Sequence, residues 1–225
     1  MKAGSRMKAL TVRDMQRFFT SPIYLMNTGI GLIFMLALPV LLLAFGARVW
    51  DLTTVPPGLT HDEASNGHDS AAILEGVHRI YFPVGYGHEP LYNYSAAVTT
   101  ALLGQSIFTL RITTVAWGLL QIVLTTALAR RWWGRGASIT TLAIYAASFW
   151  ALMTSRVGLR APTLPALLAA SVLALDHALP AHPRRYRSQG DGQRWHWYVL
   201  SGVILGLSFY TYMASRGMPL MVVGS

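Results

Sequence analysis

A long apolar run near the amino terminus constrains this chain more than any other feature. From Ile23 to Ala47 the sequence contains no charged residue, and at about 1.5 Å per residue such a helix crosses the roughly 30 Å hydrocarbon core of a bilayer. A cleaved signal peptide is the alternative, but its apolar core would be only about 7 to 15 residues long. Residues 1–22 are basic, so we expect them to form a cytoplasmic amino-terminal segment.

The composition also indicates a membrane protein. Hydrophobic residues make up 53% of the chain and charged residues 12%, whereas about a quarter of the residues in soluble domains are charged.

Leu91 to Leu103 is apolar but short for a transmembrane span, which favours a juxtamembrane helix. The predicted fold is all-α and integral to the membrane, with about five transmembrane helices and an outer loop, residues 48–106, that holds juxtamembrane helices. After the first span, the predicted spans are Ile107 to Ala129, Ala137 to Thr154, Ala161 to Leu179 and Trp195 to Met213.

The distribution of Lys and Arg predicts the orientation of these spans. If Leu91 to Leu103 does not cross the membrane, twelve of the eighteen Lys and Arg residues lie on the cytoplasmic side. If it crosses, the cations divide about equally, so the positive-inside rule favours the first arrangement. The net charge of +9 therefore reflects topology and gives no reason to expect nucleic acid as a partner. The arginines then expected at outer ends of spans are Arg111, Arg156, Arg160 and Arg216.

The loop between the first two long apolar segments is unusually acidic. It contains six of the nine Asp and Glu residues of the chain, namely Asp51, Asp62, Glu63, Asp69, Glu75 and Glu89. Carboxylates held together at the edge of a low-dielectric slab have perturbed proton affinities and serve as acids, bases or cation ligands. A solvated acidic linker is the alternative, but Pro and Gly turns and an apolar pattern at helical spacing within residues 71–77 favour a folded loop.

The outer arginines face this loop and are candidates for binding an anion. Each one by itself is explained by snorkelling to lipid headgroups. Arg156 and Arg160 are four residues apart, so they share one face if the segment between them is helical. Guanidinium groups on one face suit a phosphate, which they bind through parallel hydrogen bonds.

Metal binding and sugar stacking are further interpretations of the loop. The loop offers histidine and carboxylate ligands that suit Mg²⁺ or Mn²⁺ bound together with a substrate phosphate, although their spacing matches no specific metal motif. Tyr92 and Tyr94, close to Glu89, fit the aromatic belt at the membrane interface, and stacking on a sugar is the alternative. The chain has no cysteine, which excludes disulfides, thiolate metal sites and a cysteine nucleophile. The candidate metal ligands are His61, Asp62, His68, Asp69, His88 and Glu89.

The order of several short motifs resembles the GT-C membrane glycosyltransferases. The nearest branch is that of the bacterial members related to protein O-mannosyltransferases and lipid A aminoarabinose transferases. Each motif alone is weak, and their order and spacing together are fairly specific. The motifs are LTHDEA at residues 59–64, GHEPLY at 87–92, LRIT at 110–113, SRVGLRA at 155–161 and YTYMASR at 210–216.

The resemblance implies transfer of a sugar from a polyprenyl-phosphate carrier to a protein, lipid or glycan acceptor at the outer membrane face. It implies that Asp62 and Glu63 supply the catalytic carboxylate. A base that removes the acceptor proton and a cation that stabilises the departing phosphate are what glycosyl transfer requires. The expected substrate-binding residues are His61, Glu89, Tyr92, Arg111, Arg156 and Arg160.

Family members continue for several more spans, whereas this chain ends at Ser225, where we expect a sixth span to start. The resemblance therefore implies that the sequence covers the amino-terminal part of a longer protein.

A second class of function uses the same charges differently. In a transporter or a lipid-binding subunit without chemistry, these charges would form a substrate gate. Charges at the ends of spans, and not near mid-membrane, favour the enzyme.

Overall fold

A computed structural model describes residues 37–84, 87–179 and 195–217. The basic segment 1–22, most of the first predicted span, the connector 183–194 and the start of a sixth span lie outside the described residues. The chain divides into two compact units, Met1–Pro39 and Val40–Ser225. Because the first unit is described only from residue 37 onward, the following account concerns the second.

Within the described residues the structure is helical, and its one β feature is an isolated bridge between Phe82 and His88. This confirms the all-α prediction. A short 3₁₀ turn, Met213–Gly217, follows the last helix. In chain order the helices are α1 Ala37–Val49, α2 His61–Leu74, α3 Leu91–Leu103, α4 Ile107–Ala147, α5 Phe149–Arg156, α6 Thr163–Ala178 and α7 Trp195–Ser208.

Element α4 is a helical hairpin and not one straight helix. Its backbone leaves the helical region at Gly134, where φ is 87°, a value that favours glycine. Across this break Ser138 Oγ donates to the carbonyl of Thr126, and Gln121 Nε2 donates to Tyr145 Oη. Both contacts join a residue before the break to a residue after it, so the second arm folds back along the first.

The hairpin accounts for two of the predicted spans. Among the described residues, α4 is the element long and apolar enough to cross a membrane, while α1 and α6 are shorter apolar helices. Its first arm, residues 107–133, is about 40 Å long at about 1.5 Å per residue. The second arm ends at Ala147, earlier than the predicted Thr154, because Ser148 adopts an extended conformation and caps α5.

The helices α6 and α7 pack closely through small residues. Ser171 Oγ donates to the carbonyl of Ser201 at 3.0 Å, and Ser201 Oγ donates to the carbonyl of Ser171 at 2.9 Å. Ala166 and Ala174 of α6 are also buried. Small side chains allow helix backbones to approach each other, as is typical of membrane helices.

The loop helix α2 buries a polar face. Its amino terminus has a capping box, in which Thr60 Oγ1 accepts from the Glu63 amide and the Glu63 carboxylate accepts from the Thr60 amide. Residues spaced three or four apart turn inward: Glu63, Asn66, Asp69, Ser70 and Ile73 are buried. The helix α3 has the predicted bounds Leu91–Leu103 and packs beside α2. The acidic loop is thus folded around polar contacts.

Candidate active site

Two neighbouring carboxylates in α2 have opposite environments. Glu63 is fully buried, whereas the side chain of Asp62 is 79% exposed. Residues adjacent on a helix point about 100° apart, so only one of the two can face the interior. The predicted catalytic pair is therefore divided into an interior carboxylate and an accessible one.

The carboxylate of Glu63 accepts four hydrogen bonds. The donors are Arg111 Nε at 2.9 Å, Arg111 Nη2 at 3.3 Å, the Gly158 amide at 2.8 Å and the Thr60 amide at 3.0 Å. Burial alone would raise the pKa of Glu63, but the hydrogen bonds from Arg111, Gly158 and Thr60 outweigh it and lower the pKa below its ordinary value. With its acceptor positions occupied and its charge stabilised, Glu63 is a structural anchor and a poor candidate for a base.

Arg111 and Arg156 hold the loop in place through backbone carbonyl groups. In addition to Glu63, Arg111 donates to the carbonyls of Leu52, Pro56 and Gly58. Both terminal nitrogens of Arg156 also donate to carbonyls, those of Ala47, Arg48, Trp50 and Val55, at 2.7 to 3.2 Å. Since their Nη atoms are engaged, these two arginines clamp residues 47–58 to α4 and α5. This geometry gives no support to the predicted phosphate contacts of Arg111 and Arg156.

The expectation that Arg156 and Arg160 share one helical face is wrong. The helix α5 ends at Arg156, and Val157 is extended with φ −100° and ψ 136°. Gly158 then passes so close to its neighbours that a Cβ there would lie 2.8 Å from Leu110 Cγ and 3.3 Å from Glu63 Cγ. The chain leaves the helix to place the Gly158 amide on Glu63, and Arg160 consequently points elsewhere than Arg156.

The predicted stacking of Tyr92 on a sugar is also contradicted. Tyr92 is fully buried, and its hydroxyl donates to the Leu110 carbonyl at 3.0 Å and lies 2.7 Å from Thr114 Oγ1. The ring joins α3 to α4 and offers no face to a ligand. An amphipathic aromatic side chain often fills such a core position with its hydroxyl hydrogen-bonded.

Three of the remaining predicted residues, His61, Asp62 and Arg160, line a cavity of ≈ 320 Å³. Glu89 does not line it and contacts Arg160 instead. Its walls come from α2, from the residues around the Phe82–His88 bridge, from the turn after α5 and from the segment after α7. Asp62, His61 and Arg160 were expected from the sequence to act in a site, and the structure brings them together here. The polar lining residues are His61, Asp62, Ser65, Asn66, His88, Arg160 and Tyr212.

Among the described residues, Arg160 is the arginine that lines this cavity. Its side chain is 26% exposed, Nη1 lies 3.6 Å from Glu89 Oε2, and Cζ lies 5.3 Å from the centre of the Tyr212 ring. Burial lowers the pKa of Arg160, and the nearby Tyr212, Asp62 and Tyr81 partly offset this effect. A guanidinium group stays charged under such conditions, so the cavity combines an accessible carboxylate with a fixed positive charge.

A second buried carboxylate lies one helical turn beyond the cavity. Asp69 Oδ2 is 2.7 Å from His88 Nε2, which is ion-pair distance, although the contact lacks hydrogen-bond geometry. Asn93 Nδ2 donates to the same oxygen at 3.3 Å. Burial raises the pKa of Asp69, and the smaller opposing effect of His68 and Arg79 lowers it.

Across the described residues, no group of three or more His, Asp or Glu is arranged to hold a metal ion, so binding of Mg²⁺ or Mn²⁺ stays a prediction.

Sequence reasoning missed several lining residues, and two of them matter for the site. Asn66 donates through Nδ2 to the Gly158 carbonyl at 2.9 Å and thereby fixes one cavity wall. Tyr212 was not among the predicted substrate-binding residues, yet it lies beside Arg160. The YTYMASR motif was the available signal for Tyr212, whereas nothing in the sequence singled out Asn66.

The fold is similar to that of ArnT from Cupriavidus metallidurans, whose structures are known bound to undecaprenyl phosphate and in the apo state. The bound form has a TM-score of 0.67 and 20% identity and covers 86% of this chain and 35% of that chain. The apo form has a TM-score of 0.66 and 20% identity and covers 88% and 36%. The chain thus spans about a third of the length of these proteins. A comparison with curated proteins finds no significant match.

The family comparison agrees with the resemblance inferred from the motifs. The sequence profile of the dolichyl-phosphate-mannose-protein mannosyltransferases matches residues 87–223. The match begins at Gly87 and so includes Glu89 and Arg160 but not Asp62. It extends over more than half of the sequence, and the chain therefore belongs to the dolichyl-phosphate-mannose-protein mannosyltransferase family.

Proposed function

We propose that this chain supplies the catalytic residues of an inverting glycosyltransferase, which moves a sugar from a polyprenyl-phosphate donor to an acceptor at the outer face of the membrane. The observation that carries the proposal is the shared cavity of Asp62 and Arg160. It places an accessible carboxylate and a positive charge on the walls of one space. These are the two groups that a displacement at a sugar phosphate requires.

In the proposed reaction the acceptor hydroxyl oxygen attacks the anomeric carbon of the sugar. The acceptor proton passes to the Asp62 carboxylate, which acts as general base. The bond between the anomeric carbon and the phosphate oxygen breaks, and polyprenyl phosphate leaves with the electron pair. A single displacement of this kind inverts the configuration at the anomeric carbon.

Arg160 stabilises the negative charge that develops on the departing phosphate. A fixed cation in a partly dry cavity interacts more strongly with such charge than a cation screened by water. His61 lies beside Asp62 on the cavity wall and is placed to contact the sugar or the phosphate. Glu89 lies against Arg160 and would act on the substrate through that arginine. A divalent ion is compatible with this arrangement, but the proposal requires none.

Glu63 and Arg111 support the base without taking part in the chemistry. Their buried ion pair fixes the first turn of α2, from which Asp62 projects. Precise placement of a general base on a regular helix is more reliable than placement on a loop. The arrangement therefore gives the two adjacent carboxylates separate roles, one in structure and one in catalysis.

The donor class is supported by the fold and by the surroundings of the cavity. The similar ArnT fold has been observed with undecaprenyl phosphate, and apolar helices here offer surface for a prenyl chain alongside membrane lipids. The outer location follows from the expected excess of Lys and Arg on the cytoplasmic side. The acceptor class, whether protein, lipid or glycan, is left open by the cavity.

The test is sugar transfer by the full natural polypeptide that contains these residues, reconstituted in liposomes with a labelled polyprenyl-phosphate sugar. We expect a glycosylated product, with a rate about 10² to 10⁴ lower in Asp62→Asn. Asp51→Asn is the matched control, because Asp51 is an exposed carboxylate of the same loop outside the cavity. Equal product formation by Asp62→Asn and wild type would refute the assignment of the base. Donor binding or movement without any product would favour the transporter or lipid-binding subunit instead.

A further inference from the structure

Tyr212 contacts Arg160, the arginine found on the cavity wall in the described part of the chain. Its ring centre lies 5.3 Å from Arg160 Cζ, within the range of a cation–π interaction. On another side of the guanidinium group, Glu89 Oε2 lies 3.6 Å from Nη1, which is beyond hydrogen-bond distance. Arg160 is therefore held between an aromatic ring and a carboxylate.

This way of holding an arginine differs from that seen at Arg111 and Arg156. Those two side chains are fixed by short hydrogen bonds to backbone carbonyls, whereas the contacts described for the Arg160 guanidinium group are the Tyr212 ring and Glu89. A ring face restrains an arginine without occupying its N–H donors. The donors of Arg160 consequently stay available to an anionic ligand.

Tyr212 is itself fixed in place by the backbone around it. The Leu91 amide at the start of α3 donates to the Tyr210 carbonyl at 3.0 Å, and the Ser215 amide donates to the Tyr212 carbonyl at 2.9 Å. Between them Thr211 is buried and its hydroxyl donates to the Ser208 carbonyl. The segment after α7 is thus attached to the loop, and its aromatic ring is carried to the cavity wall.

We propose that Tyr212 is a positioning residue that keeps the Arg160 guanidinium group directed into the cavity, and that it thereby sets the affinity for the phosphate of the donor. The inference rests on the proposed function, because it gives Arg160 the donor phosphate as ligand. Without the ring, Arg160 samples other rotamers, and the apparent affinity falls with the fraction of molecules in the competent orientation. A cation–π contact of ordinary strength corresponds to a roughly 2- to 30-fold change in affinity.

The experiment compares Tyr212→Leu with Tyr212→Phe in the full natural polypeptide. Binding of radiolabelled polyprenyl phosphate and the kcat and KM for its sugar-loaded form are both measured. Tyr212→Leu should raise Kd and KM roughly 2- to 30-fold with little change in kcat, and Tyr212→Phe, which keeps the ring, should resemble wild type. The matched control is Tyr210→Leu, which changes an exposed tyrosine of the same segment that does not line the cavity.

A double-mutant cycle separates positioning from a general effect on the fold. In an Arg160→Gln background, Tyr212→Leu should weaken binding no further, because the group that the ring holds is absent. An equal loss in both backgrounds, or a Tyr212→Phe variant as weak as Tyr212→Leu, would overturn the inference. If Asp62→Asn abolishes transfer while Tyr212→Leu binds like wild type, the inference fails and the proposed function stands. If wild type makes no product, the proposed function fails whatever the binding data show.

Discussion

Replacement of Glu63 by glutamine should destabilise the folded loop, even though it changes the side chain by a single atom. The Glu63 carboxylate accepts from four donors, two on each oxygen: Arg111 Nε and the Gly158 amide on Oε1, and Arg111 Nη2 and the Thr60 amide on Oε2. Glutamine has one carbonyl oxygen and one NH₂ group. Whichever way the amide is oriented, two donors then face the NH₂ group.

The expected cost follows from these contacts. Each buried donor left without an acceptor costs about 1 to 3 kcal/mol, so two of them cost about 2 to 6 kcal/mol. Removing one partner of a buried ion pair leaves Arg111 uncompensated, which by itself typically costs about 3 to 5 kcal/mol. The two estimates describe the same loss and should not be added. We expect a decrease of about 3 to 5 kcal/mol in the free energy of unfolding.

The measurement is reversible unfolding in mixed micelles, followed by tryptophan fluorescence. The matched control is Glu75→Gln, which makes the same chemical change at the other end of α2 on an exposed residue and should leave the unfolding midpoint unchanged. If Glu63→Gln is as stable as this control, the Glu63–Arg111 pair does not hold the loop. The division of roles between Glu63 and Asp62 would then lose its physical basis.

Three further predictions concern pH, packing and topology. Because the pKa of Glu63 is lowered in the folded protein, its contribution to stability is present above the ordinary glutamate pKa of about 4.3 and is lost as the pH falls through the lower folded value. The melting temperatures of wild type and Glu63→Gln should therefore converge as the pH falls below about 4.3, and a constant gap would contradict this. Gly158→Ala should lower the free energy of unfolding by about 1 to 3 kcal/mol in the same measurement, because the new Cβ would lie 2.8 Å from Leu110 Cγ. The control Gly136→Ala places its Cβ in open space and should not lower the free energy of unfolding. Since the chain has no cysteine, single cysteines introduced at the exposed positions Gln105 and Gly136 report topology. In intact spheroplasts an impermeant thiol reagent should label position 105 and should label position 136 only after the membrane is opened. The reverse labelling pattern would place α3 across the bilayer.

The sequence predicted those parts of the fold that depend on local pattern. The bounds of α3 were predicted because an apolar run ends at Gly104, whose φ of 82° suits a glycine. The two arms of α4 were predicted as separate spans because basic residues and Gly134 interrupt the apolar pattern. In both cases neighbouring residues along the chain determine the structure.

The roles of individual charged residues were harder to predict, because they depend on distant partners. Arg156 was expected to bind phosphate, but its donors are taken by carbonyls about a hundred residues earlier in the chain. Glu63 and Asp62 are adjacent in sequence, and only the packing of α2 decides which of them is buried. Tyr92 was a candidate for stacking on a sugar, but in the folded chain its side chain is fully buried. A backbone carbonyl leaves no signature in the sequence, so such clamps are seen only in the structure.

The most direct test of the account is the single-turnover rate of sugar transfer by Asp62→Asn at saturating donor, measured together with donor affinity. If Asp62 is the general base, the rate of the chemical step should fall by about 10² to 10⁴ while the Kd for the polyprenyl-phosphate sugar stays within a factor of about 3, or about 0.7 kcal/mol. A chemical step as fast as that of wild type would contradict the account. It would show that another group removes the acceptor proton and that the cavity of Asp62 and Arg160 is not the site of transfer.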